Sequence, residues 1–184
     1  MYKITELVSK DIESRALAIN NSGQVAGVAA QHDFLWDPIT GKELLPTLAA
    51  YNGAGARGIN DAGHVIGCSL LCQGQSCMEG RAFLYRDVSL RDLQASEYSC
   101  ATAINGADQV TGYSNMSGSF WSGGTLTNIK GGDFSEIEPC AINEAGEVAA
   151  ARWETVPSLE CSASSYPLRW ANGSLRSPSE SKLQ

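Results

Sequence analysis

The chain repeats itself four times, and nothing else in it constrains the fold as strongly. Ala18-Ile19-Asn20, Gly58-Ile59-Asn60, Ala103-Ile104-Asn105 and Ala141-Ile142-Asn143 align as a small residue followed by Ile-Asn. Five residues past each asparagine stands a valine (Val25, Val65, Val110, Val148), and two further on a small residue (Gly27, Gly67, Gly112, Ala150). Each unit then carries one large aromatic residue, Trp36, Tyr85, Trp121 or Trp170, before a short turn and a leucine-bearing run. The asparagines are spaced 40, 45 and 38 residues apart.

Each unit reads as four short strands. The first ends at Ile-Asn, and a turn such as Asn20-Asn21-Ser22-Gly23 leads into the second. Asparagine at the first turn position and glycine at the fourth is the pattern of a type I turn followed by a left-handed residue. The third unit has Asp108 in place of that glycine, a residue that tolerates the left-handed region better than most. The valine and the small residue lie two apart, so they face one side of the second strand. The third strand ends at the aromatic residue, and the fourth follows Gly41, Val88, Gly124 or Gly173. No stretch sustains a 3.6-residue period, so no long helix is expected.

Four-stranded units of about 40 residues have the size of β-propeller blades. The expected fold is all-β and propeller-like, with four blades of four short antiparallel strands. Small residues would suit the crowded strands near the axis. The domain spans 1–176, with units at about 16–55, 56–100, 101–138 and 139–176, and a polar tail over 177–184. Tyr2–Leu7 resembles a fourth strand and would close the ring by pairing into the last blade, in competition with Ser174-Leu175-Arg176. The alternative is a half-propeller completed by dimerisation. An open stacked array would leave bare edges that invite aggregation.

The pattern resembles the HAF repeat, a bacterial family of extracellular-type repeats. Its motif runs Ala-x-x-Ile-Asn-x-x-Gly-x-Val-x-Gly, then His-Ala-Phe-Leu-Trp, a glycine turn and an Asp-Leu strand. Ala16–Gly27 with His32-Asp33-Phe34-Leu35-Trp36 matches best, together with Ala56–Gly67 and Arg81-Ala82-Phe83-Leu84-Tyr85. The third unit, with Gly118-Ser119-Phe120-Trp121, is looser. The fourth, with Pro167-Leu168-Arg169-Trp170, is loosest. The resemblance implies a propeller-like fold and, weakly, a secreted setting. It brings no catalytic motif.

Composition excludes several function classes. The 184 residues carry 13 basic and 20 acidic side chains, a net charge of −7. That balance lacks the footprint of a general nucleic-acid or anionic-membrane binder. No apolar run approaches the ~20 residues of a spanning helix. No Gly-x-Ser-x-Gly, phosphate loop or dinucleotide fingerprint is present, and no cofactor is implied. His32 falls where the family motif has histidine, and His64 reads as solvent-facing on a strand. Met1–Leu7 lacks a basic start with an apolar core, which favours the cytoplasm, whereas six cysteines favour export after removal of a leader.

Residues that depart from the repeat are the informative ones. The repeated asparagines read as turn-backbone partners and the repeated aromatics as packing. Between the second and third strands, the first and third units have four-residue loops. The second unit has thirteen residues there, Cys68–Gly80, and the fourth has fifteen, Ala151–Ser165. Long loops on a rigid scaffold are where binding residues concentrate. Trp153, flanked by Arg152 and Glu154, suits stacking on a sugar or aromatic ligand. Tyr51, Tyr98 and Phe134 precede first strands and would share that face. Asp133, Glu136 and Glu138 form a small acidic cluster beside Phe134. Cys72 and Cys77 suit a local disulfide, and Cys100 and Cys140 a bridge between adjacent units; their spacings fit zinc poorly.

These readings point to a non-enzymatic binding or protein-interaction module. Its partner would be a small ligand, carbohydrate or protein, held on the loop face. A glycan hydrolase acting through loop carboxylates is the alternative from another class. A structural protein that assembles as a homodimer is the third.

Overall fold

The computed structural model describes residues 4–10, 12–53, 55–74, 76–115, 117–130, 137–155 and 163–177, without the side chains of 78, 79, 153–155 and 163–166. Among these residues it is all-β: sixteen strands form four antiparallel four-stranded sheets and there is no helix. The first sheet contains β1 (Ser14–Ile19), β2 (Val25–Ala29), β3 (His32–Asp37) and β4 (Gly41–Leu44). The second contains β5 (Ala56–Ile59), β6 (Val65–Gln73), β7 (Ser76–Arg86) and β8 (Ser89–Asp92). The third contains β9 (Ser99–Ile104), β10 (Val110–Ser114), β11 (Ser117–Ser122) and β12 (Thr125–Ile129). The fourth contains β13 (Ile137–Ile142), β14 (Val148–Thr155), β15 (Ala163–Ala171) and β16 (Ser174–Arg176). Every sheet is a simple meander with its first strand at one edge.

The Asn turns close the first hairpin of each sheet. Gly23 N donates to Asn20 O at 3.0 Å, and Gly23 has φ +78°; Asp108 takes the same left-handed conformation at φ +58°. The asparagine side chain does more than cap its own turn. Asn60 Oδ1 accepts from Ala62 N and His64 N, while its Nδ2 donates to Asn105 O in the next unit at 3.0 Å. Asn20 donates to Asn60 O and Asn105 to Asn143 O in the same way. The four turns are thus joined in series by a side-chain ladder.

The first strands share an irregularity. In each sheet the register against the second strand skips one residue: Leu17, Arg57, Thr102 or Cys140. Such a bulge bends an edge strand and re-aims its side chain. It also explains the small residues of the second strand. A Cβ on Gly67 would lie 2.8 Å from Ala56 Cα, and one on Gly112 would lie 2.9 Å from Ala101 Cα. The crowding therefore comes from the sheet's own first strand, where the repeat pattern alone suggests neighbouring blades.

The core lies in three seams between successive sheets. Ala26 and Leu35 of the first sheet pack with Ala56, Val65, Phe83 and Tyr85 of the second. Ile66 and Leu84 meet Ala101, Val110 and Trp121. Phe120 meets Val148, Leu168 and Trp170, with the Phe120 and Trp170 ring centroids 4.9 Å apart. The faces at the two ends of the series are different. Ala16 is exposed although Ala56 and Ala101 are fully buried, and Ile19 is 70% exposed. At the other end Arg169, aligned with Leu35, Leu84 and Phe120, is exposed and pairs with Glu147.

Two sequence expectations change. The loop of 68–80 is an extended hairpin of β6 and β7 with Gly74 at its tip, and β14 and β15 likewise reach Thr155 and start at Ala163. The extra residues between the second and third strands of these units read as loops by their number, but the backbone ladder continues through them. The expected closing strand over 2–7 does not form at residues 4–7; residues 2 and 3 lie outside the described residues. Leu7 and Val8 instead pack on Val25, Ala29, Phe34 and Trp36 of the first sheet. Ser174–Arg176 forms the edge strand of the fourth sheet, paired with β15.

Candidate functional site

The β6–β7 hairpin leaves the second sheet at the end opposite the Asn turns. The loop leading into β5 is fastened along it. Asn52 exchanges two hydrogen bonds with Cys72, through Nδ2 to the carbonyl oxygen (2.9 Å) and through Oδ1 from the amide (2.8 Å). Gly53 and Leu70 bond through their backbones in both directions. Cys72 is disulfide-bonded to Cys77 across the hairpin, and Cys68 on β6 to Cys100 on β9, which ties the second sheet to the third.

The expected Cys100–Cys140 bridge is replaced by Cys68–Cys100. Cys100 aligns with Gly55 and Glu138, two positions before the bulge at which Cys140 sits, so the two cysteines are not equivalent. Cys140 is a free, exposed thiol. Cys161 lies outside the described residues.

Between the first and second sheets, on the hairpin side, runs a groove of about 840 Å³. Arg15 and Leu17 on β1 and Arg57 on β5 line it, together with Leu70 and the disulfide-bonded Cys72 and Cys77 of the hairpin. Arg57 is the bulge residue of its strand, which turns its side chain out of the sheet's ordinary alternation. Both arginines are exposed, and neither makes a side-chain hydrogen bond or ion pair among the described residues. Glu13 also lines the groove. The floor is bare backbone in places. A Cβ on Gly53 would lie 3.1 Å from Leu70 Cβ, and one on Gly55 would lie 2.8 Å from Cys68 O.

Asp33 lies at the same seam. It is fully buried, and its Oδ1 accepts from Ala56 N at 2.6 Å. Its Oδ2 is buried without a hydrogen-bond partner among the described residues. Burial pushes its carboxyl up to about 6, against the lowering effect of the Ala56 and Gly55 amides. The other units have Ala82, Gly118 and Pro167 at this position, so the acid breaks the repeat.

The sequence candidates do not converge on this groove. Cys72 and Cys77 line it. Tyr51 is half-buried in the loop fastened to the hairpin, and Tyr98 is 54% exposed beside Gly80. Arg152 is half-buried on β14, in a different sheet from either. The side chains of Trp153 and Glu154, and the whole of Phe134, Asp133 and Glu136, lie outside the described residues. Arg15, Arg57 and Asp33 were not singled out. Asp33 carries a sequence signal, a charge where the other units have Ala82, Gly118 and Pro167, whereas Arg15 and Arg57 occupy positions at which no two units agree.

At the opposite rim His64 is half-buried, not solvent-facing. Its Nδ1 is 2.7 Å from Asp108 Oδ1, and Asp108 also accepts from Arg86 and Asn60. Burial pushes the Asp108 carboxyl up, but these bonds together hold it below its ordinary value. Its members bond to one another, which suits a structural joint, although Arg86 Nε is buried without a hydrogen-bond partner among the described residues. Among the described residues no group of three or more His, Cys, Asp or Glu side chains is placed to hold a metal ion.

No protein-family model matches the chain, and no curated protein matches it.

Proposed function

We propose that this chain is a non-enzymatic binding module built on HAF-like repeats, with the groove between the first and second sheets as its ligand site. The carrying observation is that Arg15 and Arg57, both without a side-chain partner among the described residues, line one groove in a protein of net charge −7. Ion-paired or packed arginines would need no ligand; exposed arginines in a preformed concavity have free donors for one. Among the described residues no nucleophile–base pair or facing carboxylate pair lines the groove, which favours binding over hydrolysis.

The sheets are read as propeller-like blades. Support comes from the four-strand meanders, the first strand at one edge of each, and the sequential seams. A single chain of four blades is favoured over a half-ring completed by a second copy. Lys42 stands across from Trp36 where Leu90, Leu126 and Leu175 face the other repeated aromatics, and Arg169 replaces an apolar residue at the far end. Lys42 and the Arg169–Glu147 pair make these outer faces polar, and polar outer faces are what terminal repeats carry.

A mixed array of peptides, glycans and metabolites tests the reading. Ligands are expected to be retained by the native chain and released by Ser14→Trp, which fills the groove. Turnover of any substrate, or binding indifferent to Ser14→Trp, overturns it.

A further inference from the structure

We infer that the groove takes an extended peptide segment rich in acidic residues; this rests on the binding reading above. Four observations converge. First, β1 is an edge strand, paired to β2 on one side only, and it is exposed from Ser14 to Leu17. No strand among the described residues covers its other edge. Its free backbone groups are a template on which an extended chain can add main-chain hydrogen bonds. Second, Arg15 lies on that strand and Arg57 on the neighbouring first strand, so one segment along the groove meets two guanidinium groups in succession. A guanidinium fork matches a carboxylate with two parallel hydrogen bonds.

Third, none of the described side chains lining the groove is aromatic. Sugar rings and nucleobases are held chiefly by stacking, for which this surface has no platform. Fourth, the hairpin wall does not have to fold around its ligand. The Cys72–Cys77 bridge closes the hairpin, and the Asn52 bonds fix the adjoining loop. A preorganised wall lowers the ordering cost of binding. Leu17, 47% exposed, and Leu70 add apolar contact between the charged positions, where a peptide presents alternate side chains.

The test is fluorescence anisotropy of the full chain with a labelled decapeptide of alternating Glu and Ser. The same peptide with Gln for Glu, and an oligogalacturonate as unlabelled competitor, complete the set. The Glu peptide is expected to bind at least tenfold more tightly than the Gln peptide. Arg15→Ala and Arg57→Ala should each weaken it about tenfold, about 1.4 kcal/mol. Arg57→Lys, which keeps the charge but loses the fork, should fall between. Both arginines are exposed, so unchanged melting curves are expected and confirm that folding is intact. Equal binding of the Glu and Gln peptides overturns the inference, as does an Arg15→Ala/Arg57→Ala double variant that binds normally. Competition by oligogalacturonate at lower concentration than unlabelled Glu peptide overturns the peptide class. A neutral ligand displaced by Ser14→Trp, with no Glu-peptide binding, would sink this inference alone and leave the binding reading standing.

Discussion

The Asn turns and the second hairpins leave the same four sheets at opposite ends, and they obey different rules. At the turn end every unit repeats the same device: a left-handed fourth residue and an asparagine that bonds both its own turn and, in the first three units, the next one. At the hairpin end the units differ. One hairpin is extended and disulfide-closed, another is extended, and two are short. Repetition follows the requirement that each sheet join the next. Departure from it follows freedom from that requirement, and the groove arginines stand at that end.

Removing the bridges separates the roles of the hairpin end. Cys68 and Cys100 are 32 residues apart, and opening that bridge by a double serine variant should cost roughly 4 kcal/mol. The Cys72–Cys77 bridge closes only 5 residues and should cost roughly 2 kcal/mol, with a loss of groove binding that the first variant does not share. Denaturant unfolding measures both. Equal costs would mean that the second bridge does more than close a local hairpin.

The turn ladder should be graded along the chain. Asn60 is 5% exposed and serves the next turn, so Asn60→Ala leaves buried groups unpaired and should cost about 3 kcal/mol. Asn143 is exposed and, among the described residues, its amide nitrogen reaches only Glu147 within its own turn, so Asn143→Ala should cost less than about 1 kcal/mol. Similar losses at the two positions would show that the local turn, and not the ladder, carries the energy.

Asp33 gives the seam a pH dependence of opposite sign to the usual carboxylate. Its folded value of about 6 lies above the ordinary 3.8, so the folded chain holds a proton that the unfolded chain has released. The Asp33 contribution to stability should therefore be fullest below about pH 4, fall as pH rises to about 6, and level off above, by up to ~3 kcal/mol. Asp33→Asn keeps an oxygen for Ala56 N and should flatten that fall in melts recorded from pH 4 to pH 8. The paired Asp108 at the turn rim works the other way, losing its contribution as pH falls through its lowered value.

The smallest effect concerns the ends. Light scattering should report a monomer near 19.5 kDa, with or without reductant. Changing Lys42 and Arg169 together to leucine should raise the apparent mass with concentration, because it restores the apolar pattern of the inner seams. A dimer in the unaltered chain would revive the half-ring.

Much of this was legible in the residues alone. Periodic Ile-Asn, valine and aromatic positions set the strand ends, the Asn-x-x-Gly spacing set the turns, and the absence of a helical period set the class. Each is a local pattern, so chain-local physics suffices to read it. The pairing of Cys68 with Cys100, the groove between Arg15 and Arg57, the buried Asp33 and the asparagine ladder were decided only when separate sheets came together. Each depends on a bulge that shifts alignment by one residue, or on a seam between units that sequence spacing does not measure. A repeat specifies what each unit is, whereas the distance from one unit's arginine to the next exists only in the packed array.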